Sequence, residues 1–212
     1  MRCALIFDPS STAIGWAVMS MEIGTPPIAA GIIKRPSGWD SQLRMLSCLD
    51  EVWDLIQSLG GKIDRIVVEV PGKGQSRKKV KDDGRSTPIE YSMAVGMVYA
   101  VATRSGLPVV TVRSDHWANP VLGGIPDKEK RLDFLKYMGW DDGAGDPGRD
   151  RCDAISLGNW YRQREGFCEP DQIVLKMTPK RVHPDHLLRL DKLERIDGYL
   201  RPKGARWKPD KP

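Results

Sequence analysis

The sequence predicts an α/β fold: a mixed five-stranded sheet, opened by a three-stranded antiparallel meander, flanked by helices and followed by a basic C-terminal arm. Three observations carry this. Three apolar segments near the N-terminus are joined by turns too short to hold a helix. A fourth, Asp64-Arg-Ile-Val-Val-Glu-Val70, is almost wholly apolar, as a strand covered on both faces must be. Beyond it, windows with apolar residues three and four apart alternate with short apolar runs.

In chain order, Ala4 to Phe7 is a strand stopped by Pro9 and small polar residues, and Ile14 to Val18 returns antiparallel. A third strand, Ile28 to Lys34, follows the turn Gly24-Thr25-Pro26-Pro27. Trp39 to Leu59 carries Leu43, Leu46, Leu49, Val52, Trp53 and Ile56 at helical spacing, and Gly60-Gly61 stops it. The central strand Asp64–Val70 comes next, then a loop rich in Gly, Pro, Ser and charge from Pro71 to Pro88. Ile89 to Arg104 reads as helix, Pro108 to Arg113 as strand and Asp127 to Met138 as a short helix. A Gly- and Asp-rich loop, Asp141 to Gly148, leads into a last helix at Arg149 to Arg164. The order is β-β-β-α-β-α-β-α-α, without internal repeats. After Glu169 prolines recur and the periodicity fades. Two parts are expected: a folded domain over 1–169 and an extension over 170–212, with one short helix near Pro184 to Leu193.

The chain has 212 residues, enough for a proper core. Its net charge of +5 lies wholly in the extension, where 11 basic and 6 acidic residues leave 22 of each before Pro170. A basic arm behind a neutral domain is a footprint for nucleic acid or simply a solvated end. Cys3, Cys48, Cys152 and Cys168 show neither a CxxC pair nor zinc spacing, which points to reduced thiols and a cytoplasmic setting. The longest apolar stretch, Met93 to Ala102, is about ten residues and holds Gly96, too short to cross a bilayer, and no cleavable signal is expected before the first strand. No membrane partner and no nucleotide cofactor are expected.

The chemistry rests on carboxylates. Asp8 stands at the mouth of the first hairpin, either as a turn residue or as part of a site. Glu69 sits inside the central apolar strand, where an inward carboxylate costs several kcal/mol unless it is paired or coordinated. Asp150 and Asp153, three apart, share the helical face marked as buried by Cys152, Ala154, Ile155 and Leu157. The helix dipole accounts for Asp150 better than for Asp153. A hard divalent cation relieves such repulsion and prefers carboxylate oxygens.

In this arrangement the chain resembles a RuvC-type Holliday junction resolvase of the RNase H-like superfamily, in a divergent, phage-like form. The resemblance is carried by Ile6-Phe7-Asp8-Pro9-Ser10-Ser11 with Gly15-Trp16-Ala17-Val18, by Val67-Val68-Glu69, by the Gly96-bearing helix, and by Arg149-Asp150-Arg151-Cys152-Asp153-Ala154-Ile155. The family pattern at these places is D-P-G-S with G-Y/W-x-V, a glutamate ending the fourth strand, and D-x-x-D-A-hydrophobic. The match spans Met1 to Arg164. It implies an RNase H-like fold and a metal-dependent, structure-specific endonuclease that cuts four-way DNA junctions in a pair of nicks, giving 5′-phosphate and 3′-hydroxyl ends. It also implies two Mg²⁺ ions per site, with Mn²⁺ as a substitute, held by Asp8, Glu69, Asp150 and Asp153. Lys130 falls where the family keeps a basic residue beside the scissile phosphate. Branched DNA is the implied partner and a homodimer the implied assembly, its interface on the Ile89–Arg104 helix, in a bacterial or phage-infected cell.

The sequence also departs from the family. Ser10 replaces a glycine, and Val70-Pro71-Gly72 follows Glu69 where an aromatic wedge is common. Ser114-Asp115-His116-Trp117 occupies the place of a second basic residue. The loop basic residues Lys73, Arg77, Lys78, Lys79, Lys81 and Arg85 are candidate phosphate contacts, with a solvated loop as the alternative. The seven tryptophans read mostly as core and helix packing, with Trp160, Tyr161 and Trp207 as candidate base-stacking aromatics. His183 and His186 have no further ligands near them. Two other functions fit the same residues: a nuclease preferring forks, flaps or other branched DNA, and a non-catalytic branched-DNA binding module.

Overall fold

The computed structural model describes residues 2–10, 12–34, 41–72, 88–165, 193–196 and 199–202. The chain divides into two compact units, Met1–Ile173 and Val174–Pro212. In the first, β1 (Cys3–Pro9), β2 (Ala13–Ser20), β3 (Ala29–Lys34), β4 (Arg65–Val70) and β5 (Val109–Arg113) form one sheet in the order β3-β2-β1-β4-β5. The first three strands are the antiparallel meander, and β1, β4 and β5 run parallel. The helices are α1 (Ser41–Leu59), α2 (Pro88–Arg104), the single turn α3 (Ser114–Trp117), α4 (Lys128–Tyr137) and α5 (Asp150–Glu165).

Strand alternation sorts the sheet into two buried faces. Cys3, Leu5 and Phe7 of β1, Ile14 and Val18 of β2, and Ile66 and Val68 of β4 join Val52 and Ile56 of α1 and Val98 and Val101 of α2 in one core. Each fully buried aliphatic side chain there contributes roughly 1.5–3 kcal/mol. The other face carries Ala4, Ile6 and Asp8 of β1 and lies under α5, which packs on β1 and β2. That seating is close. A Cβ on Gly158 of α5 would stand 2.6 Å from Met19 Cγ and 2.9 Å from Ile6 Cγ1. A Cβ on Gly15 of β2 would stand 1.9 Å from the Asp150 carbonyl oxygen at the start of α5.

The expected elements are present with ends shifted by one or two residues. Among the described residues of this unit three short pieces were not anticipated: a 3₁₀ turn at Gly60–Lys62, α3, and a 3₁₀ turn at Pro120–Leu122, where Asn119 Oδ1 accepts from the Val121 N–H. One turn is too short to show a period. Tyr161 and Trp160, candidates for base stacking, are 0% and 4% exposed and belong to the core, with the Tyr161 hydroxyl beside Arg65 of β4. Among the described residues no helix is long and apolar enough to cross a membrane. In the second unit, β6 (Leu193–Ile196) and β7 (Tyr199–Pro202) pair antiparallel. The helix expected near Pro184–Leu193 falls outside the described residues, save Leu193, which opens β6.

Gly15→Ala should lose about 1–3 kcal/mol of stability, because the methyl meets main chain that cannot rotate away. Urea denaturation of both proteins would measure it, and an unchanged midpoint would contradict this packing.

Candidate active site

The parallel register of β1 and β4, which pairs Phe7 with Val68, sets Asp8 and Glu69 side by side one residue further on. Both lie on the face toward α5, and their carboxyl groups are within hydrogen-bonding reach of each other. In the antiparallel register Asp8 is opposite Gly15. This is the point where β2 has no side chain and the α5 N-terminus comes down. The first turn of α5 therefore delivers Asp150 and Asp153 to the same corner. The four carboxylates are 2% to 9% exposed.

The loop that aims α5 is strained. Arg149, immediately before the helix, has φ of 64°, the one positive-φ non-glycine among the described residues. Such a residue costs about 1–2 kcal/mol. Asp146 holds the turn, its carbonyl accepting from the Arg149 N–H at 3.1 Å and its Oδ2 from the Cys152 N–H at 3.0 Å. At the other hairpin, Ser10 spans the turn to Ala13 through its own hydroxyl, so the family's glycine is not needed there.

Burial pushes three of these acids, Asp8, Glu69 and Asp150, above the ordinary carboxylate range. Asp8 lies well above the ordinary carboxylate range, chiefly through burial, then through Glu69 and Asp153. Glu69 is raised by burial despite hydrogen bonds from Asp8, Trp117 and Tyr91. Asp150 is raised by burial, with Asp146 and Asp153 adding and Lys128 opposing. Two cations from α4 compensate. Arg131 Nε donates to Asp153 Oδ1 at 2.7 Å, and Lys128 Nζ reaches Asp153 Oδ2 at 2.7 Å. Burial works against the Lys128 charge, yet Asp153, Asp8 and Asp150 hold it above the usual ammonium range. Glu69 is satisfied from the other side by Trp117 Nε1 at 2.7 Å and Tyr91 Oη at 3.1 Å. The Arg131 guanidinium stacks 4.6 Å from the Trp117 ring centroid and donates to the Ile125 carbonyl, so the supports of Glu69 and Asp153 are themselves joined.

Of the residues singled out in the sequence, Asp8, Glu69, Asp150 and Asp153 come together. Lys130 lies exposed on α4, and its helix neighbour Lys128 is the lysine that reaches the carboxylates. Lys73, Arg77, Lys78, Lys79, Lys81 and Arg85 lie outside the described residues, as do His183, His186 and Trp207. Sequence reasoning missed Lys128, Arg131, Tyr91, Trp117 and Asp146. The signal for the first two was a three-residue spacing that puts both on one face of α4.

The donor set is all oxygen, which suits a hard divalent cation. Among the described residues no three His, Cys, Asp or Glu side chains already form a closed metal set. Asp153 has both oxygens on cationic side chains and Glu69 both on neutral donors. An ammonium and a shared carboxyl contact thus do the neutralising that a cation of this class would do, and the residues fit such a group.

No protein-family model matches the sequence, and no curated protein matches it. Solved structures do match. Thermus thermophilus RuvC in complex with Holliday junction substrate superposes with a TM-score of 0.57 at 14% identity, over 78% of this chain and 96% of that one. A second Thermus thermophilus RuvC structure gives 0.56 at 16%, over 77% and 96%. The fold is that of a RuvC-type resolvase. The RuvC-type sheet, an RNase H-like mixed five-stranded arrangement, is what carries the acidic corner at the carboxyl ends of β1 and β4. The yeast mitochondrial Holliday junction resolvase Ydc2 overlays at 0.45, with 17% identity over 77% of this chain and 80% of that chain.

Raised carboxyl pKa values make the metal-free fold hold protons that the unfolded chain has released. Their stability is fully present below the ordinary carboxylate range and is lost as pH rises through the raised values. Thermal melts in EDTA should therefore fall from mildly acidic to neutral pH. Asp8→Asn should raise the neutral-pH melting temperature, whereas Asp153→Ala, which strands buried Arg131, should cost about 3–5 kcal/mol. Equal effects of the two variants would contradict the assigned charge balance.

Proposed function

We propose that this chain is a divalent-metal-dependent endonuclease that resolves four-way DNA junctions. The observation that carries this reading is the convergence of Asp8, Glu69, Asp150 and Asp153, all buried, on a RuvC-type fold. The T. thermophilus RuvC structure in complex with a Holliday junction supports branched DNA as substrate. The nuclease domain is 1–169, and the basic extension 170–212 is a DNA-binding arm. Outward-facing Met93 and Tyr99 on α2 support a homodimer contact there.

In this reading Asp8, Glu69, Asp150 and Asp153 hold Mg²⁺, with Mn²⁺ as a substitute. Such ions supply Lewis acidity, lowering the pKa of the attacking water and offsetting charge on the leaving 3′-oxygen. The chain's own part is preorganisation. Trp117 and Tyr91 fix both Glu69 oxygens, and Arg131 fixes Asp153. Lys128, half exposed with its ammonium at the corner's edge, is the cation placed to meet the scissile phosphate. Products carry 5′-phosphate and 3′-hydroxyl ends. A second reading, cutting at forks or flaps, is favoured by Val70-Pro71, since no aromatic wedge follows Glu69 and Gly72 is tied by its N–H to Ser114 Oγ.

The test is a nicking assay on a mobile four-way junction beside a fork and a linear duplex, with Mg²⁺, Mn²⁺ or EDTA. Paired, ligatable nicks confined to the junction are expected, and equal cutting of the fork would move the function to the second reading. Asp8→Asn should abolish cutting and retain junction binding. Lys128→Ala should slow cutting by about 10²-fold or more, whereas Lys130→Ala should change it by no more than about threefold. The reverse order would reassign the phosphate contact.

A further inference from the structure

Behind the acidic corner lies a separate cavity of about 220 Å³ between α5, α4 and the 120–125 segment. Trp117, Phe134 and Trp160 supply ring surface to it. The two indole N–H groups are spent elsewhere, on Glu69 Oε2 and on the Leu122 carbonyl, so the tryptophans present surface without donors. Along α5 the cavity is lined by Ser156, which is 9% exposed and whose Oγ has no hydrogen-bond partner. A helical serine ordinarily bonds back to the carbonyl one turn earlier. A buried hydroxyl left unpaired costs about 1–3 kcal/mol, so Ser156 marks a place for a polar edge.

Two glycines, Gly123 and Gly124, form one side of the rim. Gly123 has φ of 77°, and a Cβ on Gly124 would stand 1.6 Å from the Trp117 carbonyl oxygen. Arg164 adjoins this rim, its guanidinium 4.2 Å from the Trp160 ring centroid; Nη1 donates to the Trp160 carbonyl and Nη2 to the Leu122 carbonyl, which leaves each one further N–H and the group its charge. Aromatic walls, one buried hydroxyl and a guanidinium at the mouth suit a flat heterocycle attached to a phosphate. The volume is below the ~300–1,000 Å³ of pockets for drug-sized ligands, enough for one ring system.

We infer that this cavity receives one unstacked nucleobase of the bound DNA, with its polar edge on Ser156 and the adjoining phosphate at Arg164. The inference rests on the branched-DNA reading above. Swinging a base out costs a few kcal/mol in a duplex and least where it is already unpaired, as at a branch point. Trp117 and Arg131 line the cavity and also hold Glu69 and Asp153, so a seated base bears on the acidic corner.

The experiment measures binding without cutting, using the full chain in EDTA with four-way junctions that carry one abasic site at each branch-point position in turn. At one position the missing base should weaken wild-type binding about tenfold, as loss of one base stack does. In Ser156→Leu, which fills the cavity, the same abasic site should change affinity by less than about twofold. Ser156→Ala and Gln163→Ala, which remove a hydroxyl and a rim side chain without adding bulk, serve if the leucine variant does not fold. Additive effects at every position would overturn the inference while leaving junction binding intact. Failure of the wild type to bind junctions would overturn both the inference and the function on which it rests. Saturable quenching of tryptophan emission by free nucleosides, together with additive DNA effects, would assign the cavity to a free ligand and overturn its assignment to the strand.

Discussion

Four carboxylates in one buried corner repel, and the packing of the first unit is arranged around that repulsion. Desolvation is the largest cause that raises Asp8, Glu69 and Asp150, and the Glu69, Asp153 and Asp150 charges raise Asp8 further. A core assembled for stability would not gather them. What makes the corner tolerable is a division of labour. Asp153 takes direct contacts from Arg131 and Lys128, Glu69 takes two neutral donors, and Asp8 and Asp150 feel the Lys128 charge without a direct ion pair to it. The most exposed compensating group is Lys128, with a side chain 51% accessible against 3% for its partner. Lys128 is therefore the compensating group most easily displaced, whereas Arg131 is bound to Asp153, Ile125 and Trp117 at once.

The second constraint is steric. The acids meet because α5 begins where β2 has no side chain, so one missing Cβ at Gly15 fixes the height of the helix above the sheet. Gly158, two turns on, fixes its distance from Met19 and Ile6. With both ends set, the direction of α5 is not adjustable, and the chain entering it has to turn sharply. The left-handed Arg149 is the cost of that turn, held by Asp146 on the preceding loop. Strain at this point and glycine at Gly15 are two consequences of one demand, that the Asp150 main chain reach the Asp8 level.

Much of this was readable from residue order. Apolar runs and spacings locate the strands and helices, because burial of one face or two leaves a period in the sequence. Glu69 declares itself because a charge inside Arg-Ile-Val-Val-Glu-Val contradicts its surroundings, and Asp153 because its neighbours Cys152 and Ala154 are core residues. The supports were not readable. Trp117 lies 48 positions from Glu69 and Arg131 lies 22 from Asp153, and nothing in either local stretch says what it will face. Lys128 and Lys130 are two residues apart on an exposed, charged helix start, and only the rotation of α4 about its axis tells them apart. A period locates an element, but a partner is a property of how two elements meet.

That distinction bears on how the fold is tied together beyond the corner. Trp117 sits on a single helical turn, Arg131 on α4, Glu69 on β4 and Asp153 on α5, so four elements meet through one indole and one guanidinium. The same two side chains form a wall of the neighbouring cavity. Any group that displaces the indole also loosens a donor on Glu69, and any shift of α4 moves both cations of Asp153 together. The acidic corner and the cavity therefore do not adjust independently. The link between them runs through two contacts, the Trp117 indole on Glu69 and the Arg131 guanidinium on Asp153.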